Sequence, residues 1–189
     1  MSLEKRYTAL KDKIVERKRD FDAFIQMLET KTTWLTAPAS TRFHLSQEKG
    51  LLQHSVSVAE NLLKLRDLLA PEISDETCVV VGLFHDVGKV GMPGKPYYLP
   101  NPDKDEVKRG IPYIVNTDLV HLDLATRSLY LVARYIDLTE DEIQAIRYHD
   151  GQYIAENKSV AHRETKLTRL LQYGDNWTGC VLEKNAPCV

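Results

Sequence analysis

The stretch VVVGLFHDVGKV, from Val79 to Val90, decides the fold that the sequence predicts. It opens with an uncharged, mostly aliphatic run that suits a buried helix, and this run leads directly into His85 and Asp86. An imidazole and a carboxylate are costly to bury unless another group pairs with them. We therefore expect a helix that ends inside the protein, at a site where its two polar side chains meet a partner.

The rest of the sequence is also dominated by helical patterns. Apolar residues recur at intervals of three and four, turn residues separate the patterned segments, and no window shows sustained strand alternation. The sequence therefore predicts an all-α fold. The predicted helices run from Leu3 to about Thr30, Leu51 to about Leu69, Ser74 to about Val87, Asp118 to Ile136, Thr139 to about His149, and Arg163 to Leu182.

One segment, Gly91 to Thr117, differs in kind from the helical text around it. It holds most of the prolines of the chain and three tyrosines, Tyr97, Tyr98 and Tyr113. A connection this long without a helix of its own is uncommon in a compact domain and is often functional. We expect this loop to form a partial lid whose tyrosines stack on a ligand.

Composition limits the classes of function. The chain has 189 residues, 43% hydrophobic and 28% charged, with a net charge of −2. This balance is typical of a globular protein and gives no overall basic field for nucleic acid or membranes. No apolar run approaches the roughly 20 residues of a membrane span. Cys78, Cys180 and Cys188 are too few and too scattered for a disulfide framework, so we expect reduced thiols and a cytoplasmic protein.

Several polar residues fall on the apolar faces of the predicted helices, because side chains three and four positions apart share one face. A lone histidine in a core is more often a hydrogen-bonded packing residue than a ligand. The adjacent His85 and Asp86 are a stronger signal, since both follow an apolar helix. Six such groups are predicted to face the core from five helices: His54, His85, Asp86, His121, His149 and Asp175.

A divalent cation would explain why so many titratable groups face inward. Carboxylates bring negative charge, and neutral imidazoles bring lone pairs. Helical bundles build such sites from inward-facing residues on different helices. Mixed imidazole and carboxylate ligation without thiolate favours Mn, Fe, Co, Ni, Zn or Mg over a structural zinc site. We predict one such ion, with room for a second left open.

The pattern resembles the HD superfamily of metal-dependent phosphohydrolases. His54, the segment HDVGK at His85–Lys89 and the distal Asp175 occur in the order of that superfamily. The segment APASTRFHLSQEKGLLQHSVSVAENLLKL is similar to a branch that includes bacterial HD-type 3′→5′ exoribonucleases. Two later segments, LTEDEIQAIRYHDG and LLQYGDNWTGCVLE, resemble the corresponding later segments of sequences in this superfamily. The resemblance implies an HD domain at residues 34–189, containing the long loop, and an N-terminal helical extension at 1–33 that packs on it.

The resemblance also implies roles for individual residues. His54, His85, Asp86 and Asp175 would bind one metal ion, with Asp86 also catalytic and bridging to a second ion where one exists. Lys89 would be a catalytic contact to phosphate. The two remaining histidines, His121 and His149, would bind a second metal or the substrate. The sequence departs from relatives at two positions beside these histidines: Asp150 replaces a histidine or methionine, and His121 lies one helical turn before the expected position, Leu124.

The function implied is hydrolysis of a phosphate monoester or phosphodiester by a metal-activated water, and a nucleotide is the favoured substrate. A nucleic acid 3′ end and a homo-oligomer stay open as partners, and a membrane is not expected. Two alternatives remain. One is a nucleotide-sensing or regulatory HD domain with little turnover, and the other is a non-catalytic helical interaction module.

Overall fold

The computed structural model describes residues 1–183, except for the side chain of Tyr153, and these residues form the predicted all-α bundle. Short 3₁₀ turns lie at Val87–Val90, Gly151–Tyr153 and Ala155–Val160, and a π-helical turn follows the last α-helix at Thr178–Leu182. The α-helices are α1 Leu3–Lys11, α2 Lys18–Lys31, α3 Gly50–Leu69, α4 Asp75–Phe84, α5 Lys104–Lys108, α6 Leu124–Ala133, α7 Glu140–Arg147 and α8 Lys166–Trp177.

The helix α4 is the centre of the bundle. Its residues from Cys78 to Phe84 are all buried, so the helix presents no face to solvent. The Ser74 side chain accepts a hydrogen bond from the Thr77 amide and fixes where the helix begins. At Gly82 the helix crosses α3 closely, because a Cβ added there would lie 2.6 Å from the Cα of Ala59. This close crossing fixes the ends of α4 relative to α3.

The prediction of one continuous N-terminal helix is wrong. The chain breaks between α1 and α2, and the backbone amides of Val15 and Glu16 donate to the carboxylate of Glu76 on α4, at 2.7 and 2.8 Å. Farther on, Phe24 of α2 packs edge-to-face on Phe84, with ring centroids 4.8 Å apart. The break therefore serves two contacts with α4, one at each of its ends.

The loop 91–117 contains structure that the sequence did not predict. Strand β1, Tyr98–Pro100, pairs antiparallel with strand β2, Tyr113–Val115, and α5 lies between them. Strands of three residues are too short to show an alternating pattern, which explains the missed sheet. The rings of Tyr97 and Tyr98 pack on each other with centroids 4.9 Å apart, so these two tyrosines are engaged within the protein.

The start of another helix also differs from the prediction. Helix α6 begins at Leu124 and not at Asp118, because the Asp123 side chain caps it by accepting from the Thr126 amide at 2.8 Å. His121 therefore lies before the helix and is exposed, and the prediction that it faces the core is wrong. By contrast, the capping box at Thr139 and Glu142 is confirmed at the start of α7.

Within residues 1–183, no helix is long and apolar enough to cross a membrane. The thiol of Cys78 is free and buried, as expected. Cys188 lies outside the described residues.

Candidate metal centre and cleft

Three helices bring the four predicted metal ligands to one point. His54 lies in the second turn of α3, His85 and Asp86 directly follow α4, and Asp175 lies near the end of α8. The Nε2 atom of His54 is 3.1 Å from Asp175 Oδ1, 3.3 Å from His85 Nε2 and 3.8 Å from Asp86 Oδ2. His85 Nε2 is 3.7 Å from Asp86 Oδ2 and 3.8 Å from Asp175 Oδ1. These four side chains therefore form one compact group of donor atoms.

The spacing of these donors fits one metal ion. Ligand atoms lie about 2.0–2.2 Å from a transition-metal ion, so two ligands of one ion cannot be more than about 4.4 Å apart. All five distances above fall within that limit. The donor set of imidazole nitrogen and carboxylate oxygen also suits a divalent transition metal. The residues present therefore fit such an ion.

Hydrogen bonds to the backbone fix which ring nitrogen of two histidines faces this group. His85 Nδ1 is 2.9 Å from the Gly82 carbonyl oxygen, and His149 Nδ1 is 2.8 Å from the carbonyl oxygen of Ile146. A carbonyl oxygen only accepts, so Nδ1 must carry the proton in both rings. In the neutral form, each Nε2 therefore has a free lone pair, as a metal ligand or a hydrogen-bond acceptor requires.

Asp86 stands between two parts of the site. Its Oδ2 atom is 2.6 Å from Lys89 Nζ and belongs to the donor group around His54. Its Oδ1 atom is 3.5 Å from His149 Nε2. The carboxylate can therefore contact two neighbours at once, one through each oxygen. Asp150 Oδ1 lies 3.6 Å from the same nitrogen of His149, which places the residue that departs from relatives beside this histidine.

Buried carboxylates make the site strongly attractive to cations. Burial raises the pKa of Asp86, but Lys89 and His149 outweigh it and hold this pKa well below its usual range. Burial alone would lower the pKa of His54, yet hydrogen bonds to the carboxylates of Asp175 and Glu183 raise this pKa to about 10. Burial lowers the pKa of His85 to about 4, so this ring is neutral near pH 7 and ready to ligate.

Three residues of the donor group, His54, Asp86 and Asp175, line a cleft of about 690 Å³. Among the described residues that line it, the lysine and arginine side chains are Lys89 and Arg169, and the exposed aromatic rings are Phe43 and Tyr173. His149 also lines the cleft. The described lining takes no residue from the loop 91–117, so the structure does not place the loop tyrosines where a lid was expected.

The structure thus brings five of the six predicted inward-facing residues together and leaves His121 apart. It also adds two residues that the sequence analysis did not select, His44 and Glu183. Glu183 Oε2 lies 2.9 Å from His54 Nδ1, and the ring of His44 lies 5.1 Å from that of His54. His44 follows no apolar stripe, so helical periodicity gave no signal for it. Glu183 ends the segment LLQYGDNWTGCVLE, and its acidic character was the one available clue.

A comparison with protein families places this geometry in a known group. Residues 51–176 match the family described as the HD domain, a segment that runs from the start of α3 to near the end of α8. The match contains all four residues of the donor group. Comparisons with curated proteins and with solved structures find no match.

Proposed function

Because the chain belongs to the HD domain family, a superfamily of metal-dependent phosphohydrolases, we propose that it hydrolyses a phosphate ester with a bound divalent metal ion. The observation that carries this proposal is the convergence of His54, His85, Asp86 and Asp175, whose five donor-atom distances given above run from 3.1 to 3.8 Å, beside a cleft that three of them line. Lys89 and His149 border the same point. A purely structural cluster would have no need of access from solvent.

We propose a division of roles among these residues. His54, His85, Asp86 and Asp175 hold the ion. When bound, a divalent ion supplies positive charge that polarises a phosphoryl oxygen and lowers the pKa of a water molecule. Asp86 accepts a hydrogen bond from the attacking water and orients it, and Lys89 offsets the negative charge that develops on the phosphoryl group.

His149 is assigned to the substrate side of the site, or to a second ion. Its Nε2 faces Asp86 Oδ1, which is the oxygen directed away from Lys89. In its protonated form His149 would donate from Nε2 to a phosphate oxygen, and in its neutral form the same nitrogen could be a ligand of a second cation. His121 is exposed and separate from this group, so the structure gives no support for a role in binding either one.

The cleft favours a small phosphate ester, such as a nucleotide, as the substrate. Its volume of about 690 Å³ lies within the range of small-molecule sites. Lys89 and Arg169 supply positive charge for phosphate. Phe43 and Tyr173, which are 40% and 57% exposed, offer aromatic surface on which a base could stack. A monoester and a diester make the same demands on these residues, and a nucleic acid 3′ end would present the same groups.

The test is hydrolysis by protein that is shown to be folded and freed of metal. Mn²⁺, Ni²⁺, Co²⁺, Zn²⁺ and Mg²⁺ are added singly, with a panel of nucleotides and with bis-p-nitrophenyl phosphate. We expect turnover that depends on the added metal and disappears with a chelator. A folded protein that binds metal and nucleotide without turnover would support a sensor, and one that binds neither would support a helical interaction module. Both results contradict the proposed enzyme.

A further inference from the structure

The metal-ligand role proposed for His54 uses only one of its two ring nitrogens. The other, Nδ1, lies 2.9 Å from Oε2 of Glu183. His54 is 2% exposed and the Glu183 side chain 5%, so this contact is shielded from water. The ring of His54 is therefore held between two carboxylates, with Asp175 at Nε2 and Glu183 at Nδ1.

One continuous segment of chain supplies both carboxylates. Asp175 lies in α8, and the π-helical turn Thr178–Leu182 then leads to Glu183, whose backbone amide donates to the Thr178 carbonyl at 3.0 Å. Side-chain hydrogen bonds fix the turn on α3, because the Thr178 hydroxyl accepts from Asn61 Nδ2 at 2.9 Å. The same hydroxyl donates to the Gly174 carbonyl at 2.6 Å. π-helical turns are rare in proteins, and those that do occur are often found at functional sites.

We propose that Glu183 is a positioning residue for the metal centre. Its carboxylate accepts the Nδ1 proton of His54, which fixes the tautomer of the ring and turns the Nε2 lone pair toward the ion. A carboxylate behind a metal-bound histidine also makes the ring a better donor, and removing such a partner costs about 10–100-fold in metal affinity. This inference rests on the metal binding of the proposed function, and it assigns a role outside the four ligands.

A direct ligand role for Glu183 is the competing interpretation. His44, His54 and Glu183 each offer a ligand atom within 4.8 Å of one another, and two of their atoms, His44 Nε2 and Glu183 Oε1, are buried without a hydrogen-bond partner. However, if His54 bound one ion through each nitrogen, its ring would have to lose both protons. Histidine rarely does so, since the neutral ring keeps one N–H. A positioning role leaves that proton in place.

The first test compares Glu183→Gln and Glu183→Ala with the wild type by Zn²⁺ titration against a competing chelator. We expect one ion in each protein, bound about 10–100-fold more weakly in Glu183→Ala and by a smaller factor in Glu183→Gln, which keeps an oxygen acceptor. Glu72→Gln is the matched control, because Glu72 is exposed, pairs with Lys166 and is not among the residues that line the cleft. Its affinity should equal that of the wild type.

The second test reads the ring of His54 directly, by nitrogen-15 NMR of the histidine side chains. In the wild type, with and without Zn²⁺, we expect a slowly exchanging Nδ1 proton. In Glu183→Ala this proton should exchange rapidly, and if that variant does not fold, Glu183→Met, which is of similar length and has no oxygen acceptor, provides the same comparison. This readout needs no metal. If the wild type bound no ion, that result would contradict the proposed function, and the NMR measurement would still test the hydrogen bond between His54 and Glu183.

Three results would overturn the inference. Unchanged Zn²⁺ affinity in both Glu183 variants would show that Glu183 does not affect metal binding. Equal protection of the Nδ1 proton in the wild type and in the variants without an oxygen acceptor, Glu183→Ala and Glu183→Met, would show that Glu183 does not hold this proton. A second equivalent of Zn²⁺ in the wild type, lost in Glu183→Gln and in His44→Ala, would make Glu183 a ligand of its own ion.

Discussion

At the scale of single residues, His85 is the proposed ligand whose surroundings leave the fewest roles other than metal binding. It is fully buried, its Nδ1 is committed to the Gly82 carbonyl, and its Nε2 lies 3.3 Å from His54 Nε2. His85→Ala should therefore reduce bound metal from about one equivalent to almost none and lower hydrolysis by at least about a hundredfold. Elemental analysis of protein reloaded with metal measures the first effect, and a steady-state assay the second.

The control for that substitution is His162→Ala, because His162 is exposed and lies outside the described cleft lining. It should keep the metal content and the rate of the wild type. A folded His85→Ala protein that still binds one equivalent of metal would refute the proposed ligand set.

Lys89 is expected to affect the reaction without affecting the ion. It contacts Asp86 at 2.6 Å and lines the cleft, but it cannot ligate a metal while it is protonated. In Lys89→Met the metal content should be kept, while kcat/KM falls by roughly 10²–10³, the usual effect of losing one charge-stabilising donor. Steady-state kinetics at saturating metal measures this. A variant with normal kcat/KM would show that Lys89 serves only to balance the charge of Asp86.

The sequence predicted most of this site because His54 and Asp175 lie on regular apolar stripes and His85–Asp86 directly follows one. It misplaced His121 because Asp123 caps α6, and that cap carries less signal than the apolar pattern around it. Glu183 was missed because a π turn changes the direction of its side chain, which no period of 3.6 residues predicts.

At the scale of the elements, the crossing of α3 and α4 sets the distance between His54 and His85. In Gly82→Ala the new methyl group would meet the backbone of Ala59, and the two helices would have to separate. We expect a loss of about 1–3 kcal/mol in the free energy of unfolding, since overpacking of this kind typically costs that much. Urea denaturation measures the change.

Gly179→Ala is the matched control for Gly82→Ala. Gly179 lies in the helical segment after α8, and among residues 1–183 no heavy atom beyond its chain neighbours and its own helical backbone lies within 4 Å of the position its Cβ would take. Its stability should be unchanged or slightly greater, because alanine favours helix over glycine. If both variants were equally stable, the close crossing would have no energetic importance.

Local pattern predicted which segments form the main helices and some of the helix limits, but it did not predict all of those limits. Thr139 begins α7 as its capping box predicts. The break between α1 and α2 depends on Glu76, which is distant in sequence, so tertiary contacts override a favourable local helix pattern there. For the loop 91–117, only its length and composition were informative.

At the scale of the whole molecule, Arg17 links three separate parts of the chain. Its guanidinium is 2.8 Å from Glu76 Oε1 on α4 and 2.7 Å from Glu142 Oε1 on α7. Together with the packing of Phe24 on Phe84, these contacts lead us to propose that the extension 1–33 unfolds together with the HD domain. A single transition in denaturation experiments would agree with this proposal.

The pH dependence of stability tests the same network. Burial raises the pKa of Glu76, but Arg17 and the Val15 amide outweigh it and lower this pKa below its usual value. The resulting stabilisation is complete above the unfolded pKa of about 4.3 and is lost as the pH falls through the folded pKa. Glu76→Gln should therefore be less stable than the wild type near pH 6, and the difference should shrink toward pH 3.

Urea denaturation at a series of pH values measures that difference. Glu48→Gln makes the same charge change at an exposed position and should show little difference from the wild type at any pH. A gap between Glu76→Gln and the wild type that is constant with pH would show that the carboxylate charge of Glu76 is not what stabilises the fold.

The origin of the donor group in α3, the end of α4 and α8 also bears on the order of events in folding. His54 and Asp175 meet across a long span of chain, and closing such a span costs configurational entropy before any contact repays it. Neighbouring helices such as α3 and α4 can associate earlier, because their contacts are local. Capture of the ion should then be among the last steps on the folding pathway, so the metal would recognise a nearly finished molecule and would not nucleate it.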